Sequence, residues 1–232
     1  MRPALAPLLI ACCAILPLPA VAAANTLSGW ALLPANTFAD GPTSGQFAGS
    51  GAGGNPLPLV NLQPVQGFSA VLDGPVANTY LVMPDNGFGT QGNSADTLLR
   101  MYAVAPDFHT ATGGTGNVVP VSFTNGSPLP AYNAASRITL NDANHQLGFA
   151  IQADYTNYYN NAANPLVDAS IRAGRLLTGA DLDTESVRKD KNGNLWFGDE
   201  FGPFLVKTNA NGTVLRSEIG LPGVKSPQNP YL

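Results

Sequence analysis

Tyr80-Leu81-Val82-Met83-Pro84-Asp85-Asn86-Gly87-Phe88-Gly89 and Leu195-Trp196-Phe197-Gly198-Asp199-Glu200-Phe201-Gly202 follow one grammar, a run of large apolar residues closed by an acid ahead of a glycine. A short strand-like segment and a turn come before each: Gly67-Phe68-Ser69-Ala70-Val71 in the first case, Thr184-Glu185-Ser186-Val187-Arg188 in the second. Another apolar run follows each, Leu99-Arg100-Met101-Tyr102 or Phe204-Leu205-Val206-Lys207. A recurring four-stranded unit is the mark of a β-propeller blade. The expected fold is therefore all-β, a β-propeller.

The surrounding sequence agrees. Thr79 to Met83, Leu98 to Val104, Val118 to Phe123, Asn194 to Gly198 and Thr213 to Arg216 all read as short strands. Asn192-Gly193 and Asn211-Gly212 lie between apolar runs, where Asn-Gly favours a type I′ hairpin turn with both residues at positive φ. One stretch, Ala162 to Leu177, reads as a helix, with Pro165 and Gly174 against it. Residues 41–54 form a Gly/Ser-rich loop; no Lys-Ser/Thr and no helix follows it, so it is no phosphate cradle.

At the N-terminus, Arg2 precedes an apolar run from Leu5 to Leu18 that decays into Ala20-Val21-Ala22-Ala23-Ala24. Pro17 and Pro19 break the run, which is shorter than the roughly 20 residues a membrane helix needs. Residues 1–24 are thus expected to be a cleaved signal peptide and the protein to be secreted or periplasmic. A competing reading makes Leu9-Ile10-Ala11-Cys12 a lipoprotein box with a lipid on Cys12. Both cysteines, Cys12 and Cys13, fall inside the leader, so residues 25–232 use no disulfide and must rely on an apolar core. Losing Arg2 takes the net charge from −4 to −5, which argues against a nucleic-acid partner.

The quoted segments, with Leu176-Leu177-Thr178-Gly179-Ala180-Asp181-Leu182-Asp183-Thr184-Glu185-Ser186-Val187-Arg188 above all, resemble the phytase-like family, described as having esterase-like activity. The likeness runs from about Trp30 to Leu232. It implies a secreted or periplasmic propeller of about six blades. Family members usually continue past this point. At about 40–45 residues per blade, residues 25–232 are expected to hold four to five blades, as a domain truncated at its C-terminus.

Asp181-x-Asp183-x-Glu185 puts three carboxylates at a spacing of two, which in an extended segment places them on one face. Like charges so close call for solvent or a cation between them. Asp85, Asp199 and Glu200 end strands, where a propeller gathers groups around its channel. Such oxygen ligands suit Ca²⁺. The expected metal set is Asp85, Asp183, Glu185, Asp199 and Glu200. The expected catalytic set is Asp183, Glu185, Asp199 and Glu200, with Arg188 clamping an anionic substrate. Equally, acids at strand ends commonly cap turns through backbone N–H groups.

Other chemistries lack their residues. There is no Gly-x-Ser-x-Gly nucleophile elbow. Two histidines, His109 and His145, cannot make a three-His zinc site. The function expected is hydrolysis of small phosphate or carboxylic esters by a metal-bound water, with no membrane span. The alternatives are a non-catalytic propeller binding module and a sugar-lactone hydrolase of the gluconolactonase type.

Overall fold

The structure, a computed structural model, describes residues 26–49 and 56–232. The expected leader and the tip of the Gly/Ser-rich loop lie outside the described residues. Two short antiparallel pairs come from the N-terminal part: β1 (Gly29–Trp30) with β7 (His109–Thr110), and β2 (Phe38–Asp40) with β3 (Leu62–Pro64).

The first large sheet is an antiparallel meander of β4 (Phe68–Asp73), β5 (Tyr80–Pro84), β6 (Arg100–Pro106) and β8 (Val118–Pro120). A further strand, β9 (Arg137–Thr139), pairs with the other end of β6. The second is a meander of β10 (Thr184–Lys189), β11 (Leu195–Asp199), β12 (Phe204–Thr208) and β13 (Ile219–Gly220). Among the described residues the molecule is mostly strand and loop with one α-helix, and no sheet closes into a barrel.

Side chains alternate across a strand, so a strand covered on both faces reads as continuously apolar. β5 and β6 show this. Leu81, Met83, Met101 and Ala103 enter the main core, which they share with Val187, Leu195, Phe197, Phe204 and Val206 of the second sheet. Val82, Tyr102 and Val104 point the other way, into a smaller core with Ala39, Val65 and Tyr132. β12 has one buried face only: Phe204, Val206 and Thr208 are buried, while Leu205 is exposed and Lys207 half-buried. On that outer face the Lys207 ammonium sits 4.8 Å from the centre of the Trp196 ring and 3.3 Å from an Asp190 oxygen.

Both meanders begin with the same irregularity. In the first, Phe68 pairs with Pro84 and then Ala70 with Met83, so Ser69 is an extra residue. In the second, Thr184 pairs with Asp199 and then Ser186 with Gly198, so Glu185 is extra. The repeat extends to one hydrogen bond. Asp85 N–H donates to the Gly67 carbonyl and Glu200 N–H to the Asp183 carbonyl, each at 2.9 Å. The register therefore equates Asp85 with Glu200, one place beyond the match with Asp199 that the sequence pattern suggests.

Three local expectations are corrected. The helix is only α1 (Ala169–Gly174), because Asp168 caps it through Ser170 N–H at 2.8 Å and Arg175 leaves it at φ 45°. Thr213 to Arg216 forms no strand: Val214 N–H donates to the Asn141 carbonyl, and the fourth strand comes later, at Ile219. The Asn-Gly turns place only Gly193 and Gly212 at positive φ. Asp190 and Asn209 hold those turns instead, each accepting two backbone N–H groups.

Candidate functional site

The acids converge where the two sheets meet. Asp183 lies just before β10, Glu185 is the bulged residue within it, and Glu200 follows β11. One oxygen from each of the three carboxylates lies within 4.8 Å of the others. A bulge re-aims a side chain, and here it leaves Glu185 with no residue opposite it in the ladder. Asp183 is buried, whereas Glu185 and Glu200 are exposed.

Asn86 joins the first sheet to this group. Its backbone N–H donates to Asp183 Oδ1 at 3.3 Å and its Nδ2 donates to Asp183 Oδ2 at 3.2 Å. It also closes its own loop, exchanging hydrogen bonds with Gly89 at 3.0 and 3.2 Å. Gly179 lies directly beneath: a Cβ there would collide with the Asn86 carbonyl oxygen. That close approach requires glycine.

Burial pushes the Asp183 carboxyl up to about 7, and the charges of Glu185, Glu200 and Asp85 add to it; the Asn86 N–H opposes them. A cluster of this kind holds a proton or a cation at neutral pH. Three close carboxylates supply the anionic share of the six to eight oxygens that Ca²⁺ takes. The donor set thus fits a hard cation, with Asp183, Glu185 and Glu200 as its protein ligands.

The remaining acids have other partners. Asp199 is buried and accepts the N–H of Asp183 and of Gly202, both at 2.8 Å. Burial lifts its carboxyl to about 6 against those bonds. Asp181 does not share a face with Asp183 and Glu185, because residues 178–181 form a turn. Its carboxylate accepts Thr178 N–H at 2.7 Å, Thr178 Oγ1–H at 3.0 Å and Gln152 N–H at 2.6 Å. Burial raises it to about 6.

Asp85 accepts Gly87 N–H at 2.8 Å and lines a cleft of about 260 Å³ with Pro64, Gln66, Gly67, Pro84 and Thr97. Arg188 pairs with Trp196 further along β10 and donates to the Val187 carbonyl at 2.7 Å. It makes no ion pair among the described residues. His109 Nδ1 lies 2.8 Å from the Gly114 carbonyl oxygen, away from the carboxylates. Asn86 is the one residue whose part the sequence does not announce; its place beside Asp85 in the repeated motif is the only signal.

No helix among the described residues is long and apolar enough to cross a membrane. A family model for phytase-like proteins, described as esterase-like activity of phytase, matches residues 63–231. No curated protein and no solved structure gives a significant match.

Proposed function

The chain belongs to the phytase-like family, and on that premise we propose that it is an extracytoplasmic hydrolase of small carboxylic or phosphate esters. In this reading the two meanders are neighbouring blades of a propeller; the shared bulge and the matching Asp85 and Glu200 hydrogen bonds support it. The observation that carries the function is the meeting of Asp183, Glu185 and Glu200 within 4.8 Å.

These three carboxylates would hold Ca²⁺. When bound, the ion would offset their repulsion and polarise a substrate oxygen. Asp85, on the wall of the adjoining cleft and with one oxygen unpartnered among the described residues, is the base. It takes a proton from water as the water oxygen bonds to the acyl carbon or phosphorus. The bond to the alcohol oxygen then breaks, and the alcohol leaves with the proton that Asp85 returns. Asp199 positions the site by fixing the Asp183 and Gly202 backbone. Asn86 orients the Asp183 carboxylate.

The test is a panel of nitrophenyl acetate, nitrophenyl phosphate, phytate and a sugar lactone, each with Ca²⁺ and with chelator. Ester or phosphate hydrolysis that is lost with chelator and in Glu200→Gln is expected. Activity on the lactone alone would favour the lactone hydrolase. Silence on all four, with melting indifferent to chelator, would favour a binding module.

A further inference from the structure

A second cavity, of about 470 Å³, opens on the face of the first sheet opposite the main core. Its wall comes from one side of successive strands: Phe68 and Val71 of β4, Val82 of β5 and Val104 of β6, with Val65 and Phe108 closing it. Among the described residues no charged side chain lines it. Val71 and Phe108 are about half exposed, at 56% and 48%. Apolar surface left open in this way marks a ligand groove or a contact surface.

Continuity with the acidic site identifies the occupant. Gln66 and Gly67 line this groove and also the cleft that holds Asp85. Asp85 adjoins Asn86, whose amide groups bond Asp183. The uncharged apolar groove and the cleft of Asp85 therefore share a wall at Gln66 and Gly67, and Asn86 joins Asp85 to the Asp183 carboxylate. Among the described residues no basic side chain forms an ion pair with Asp85, Asp183, Glu185 or Glu200, and Arg188 is turned to the Val187 carbonyl. Three carboxylates around one Ca²⁺, beside Asp85 and without a basic clamp, would still leave the site negative, which disfavours a polyanionic phosphate ester and not a neutral ester.

From this we infer that the groove holds the apolar limb of a neutral carboxylic ester whose carbonyl lies at the Asp85 end. The inference rests on the hydrolase reading for its reaction, while apolar binding itself does not depend on it. Chain-length preference follows, because each methylene buried in the groove adds affinity.

Two measurements test it on the full chain. The first compares kcat/KM for nitrophenyl acetate and nitrophenyl octanoate in the parent protein, Val71→Asp and Phe108→Ser. Both substituted residues are exposed, and circular dichroism checks the fold. The parent is expected to prefer octanoate by about 10-fold or more. The variants should lose that preference while keeping acetate hydrolysis within about twofold. The second follows the fluorescence of N-phenyl-1-naphthylamine, a neutral apolar probe, which should bind the parent and not Val71→Asp.

Hydrolysis without chain-length preference, or with one that both variants retain, overturns the groove and leaves the hydrolase reading intact. If no ester is hydrolysed, the hydrolase reading fails. Probe binding that Val71→Asp abolishes would then still support an apolar ligand, and absence of probe binding would overturn it.

Discussion

Asp85 and Glu200 occupy the same place in successive sheets: each follows a strand that pairs past a bulge, and each N–H donates at 2.9 Å to the residue before that bulge. The carbonyl belongs to Gly67 in one sheet and to Asp183 in the other. The second unit thus carries carboxylates at three points where the first carries Gly67, Ser69 and Asp85. That difference concentrates the acids on one side of the junction.

Glu185→Gln and Glu200→Gln each remove one exposed charge from the cluster. Ca²⁺ affinity is expected to fall at least ~10-fold in either variant, with the melting temperature in chelator unchanged or raised. Isothermal titration with Ca²⁺ and a thermal melt would check both expectations. Unchanged affinity in both variants would remove the cluster as the cation site.

Asp199→Ala strips the partner from two backbone N–H groups, those of Asp183 and Gly202. Each unsatisfied buried donor costs about 1–3 kcal/mol. Urea unfolding should show a loss of at least about 2 kcal/mol, with the Asp183 end of β10 losing amide-exchange protection first.

The pH dependence has a definite sign. Asp183 and Asp199 are raised from 3.8 to about 7 and about 6 in the folded chain. At these two groups the native state therefore binds more protons than the unfolded one, and the stability they contribute falls as pH rises from about 4 to 7. In chelator, melting points taken over that window should decline more steeply in the parent than in Glu200→Gln. Added Ca²⁺ should stabilise more at pH 7 than at pH 5, since protons compete for its ligands.

Gly179→Ala forces a methyl group against the Asn86 carbonyl oxygen. Overpacking of this kind typically costs about 1–3 kcal/mol. Because the neighbour is backbone, the loop that orients Asp183 must shift, so denaturant stability and Ca²⁺ affinity should fall together.

Arg188→Ala is expected to leave kcat/KM for a neutral ester within about twofold. Its guanidinium donates to the Val187 carbonyl and, among the described residues, pairs with no carboxylate. A large loss confined to KM for an anionic substrate would restore Arg188 as a clamp.

The strands were legible where burial imposed a period. β5 and β6 read as continuous apolar runs because both faces are covered, and β12 alternates because only one is. Thr213 to Arg216 misled for the same reason: Val214 is fully buried, yet the segment docks by single bridges only, Thr213 to Asn141 and Val214 to Thr208. Length sufficed to suggest a helix at Ala162, but Asp168 and Arg175 set its ends. At the site, the sequence put five acids into one metal set, and Asp183, Glu185 and Glu200 are the three that meet. Asp181 and Asp199 look like Asp183 in sequence, and nearby backbone N–H groups claim them instead.

The sequence by itself determined a mostly β chain, its recurring hairpin unit and its family, because these depend on residue type and short spacing. The tertiary structure decided which carboxylates meet. Only packing of the two meanders on one core places Asn86 against Asp183, and only the bulge in β10 frees Glu185 to join it. Those contacts join residues 97 positions apart, a separation that no local pattern encodes.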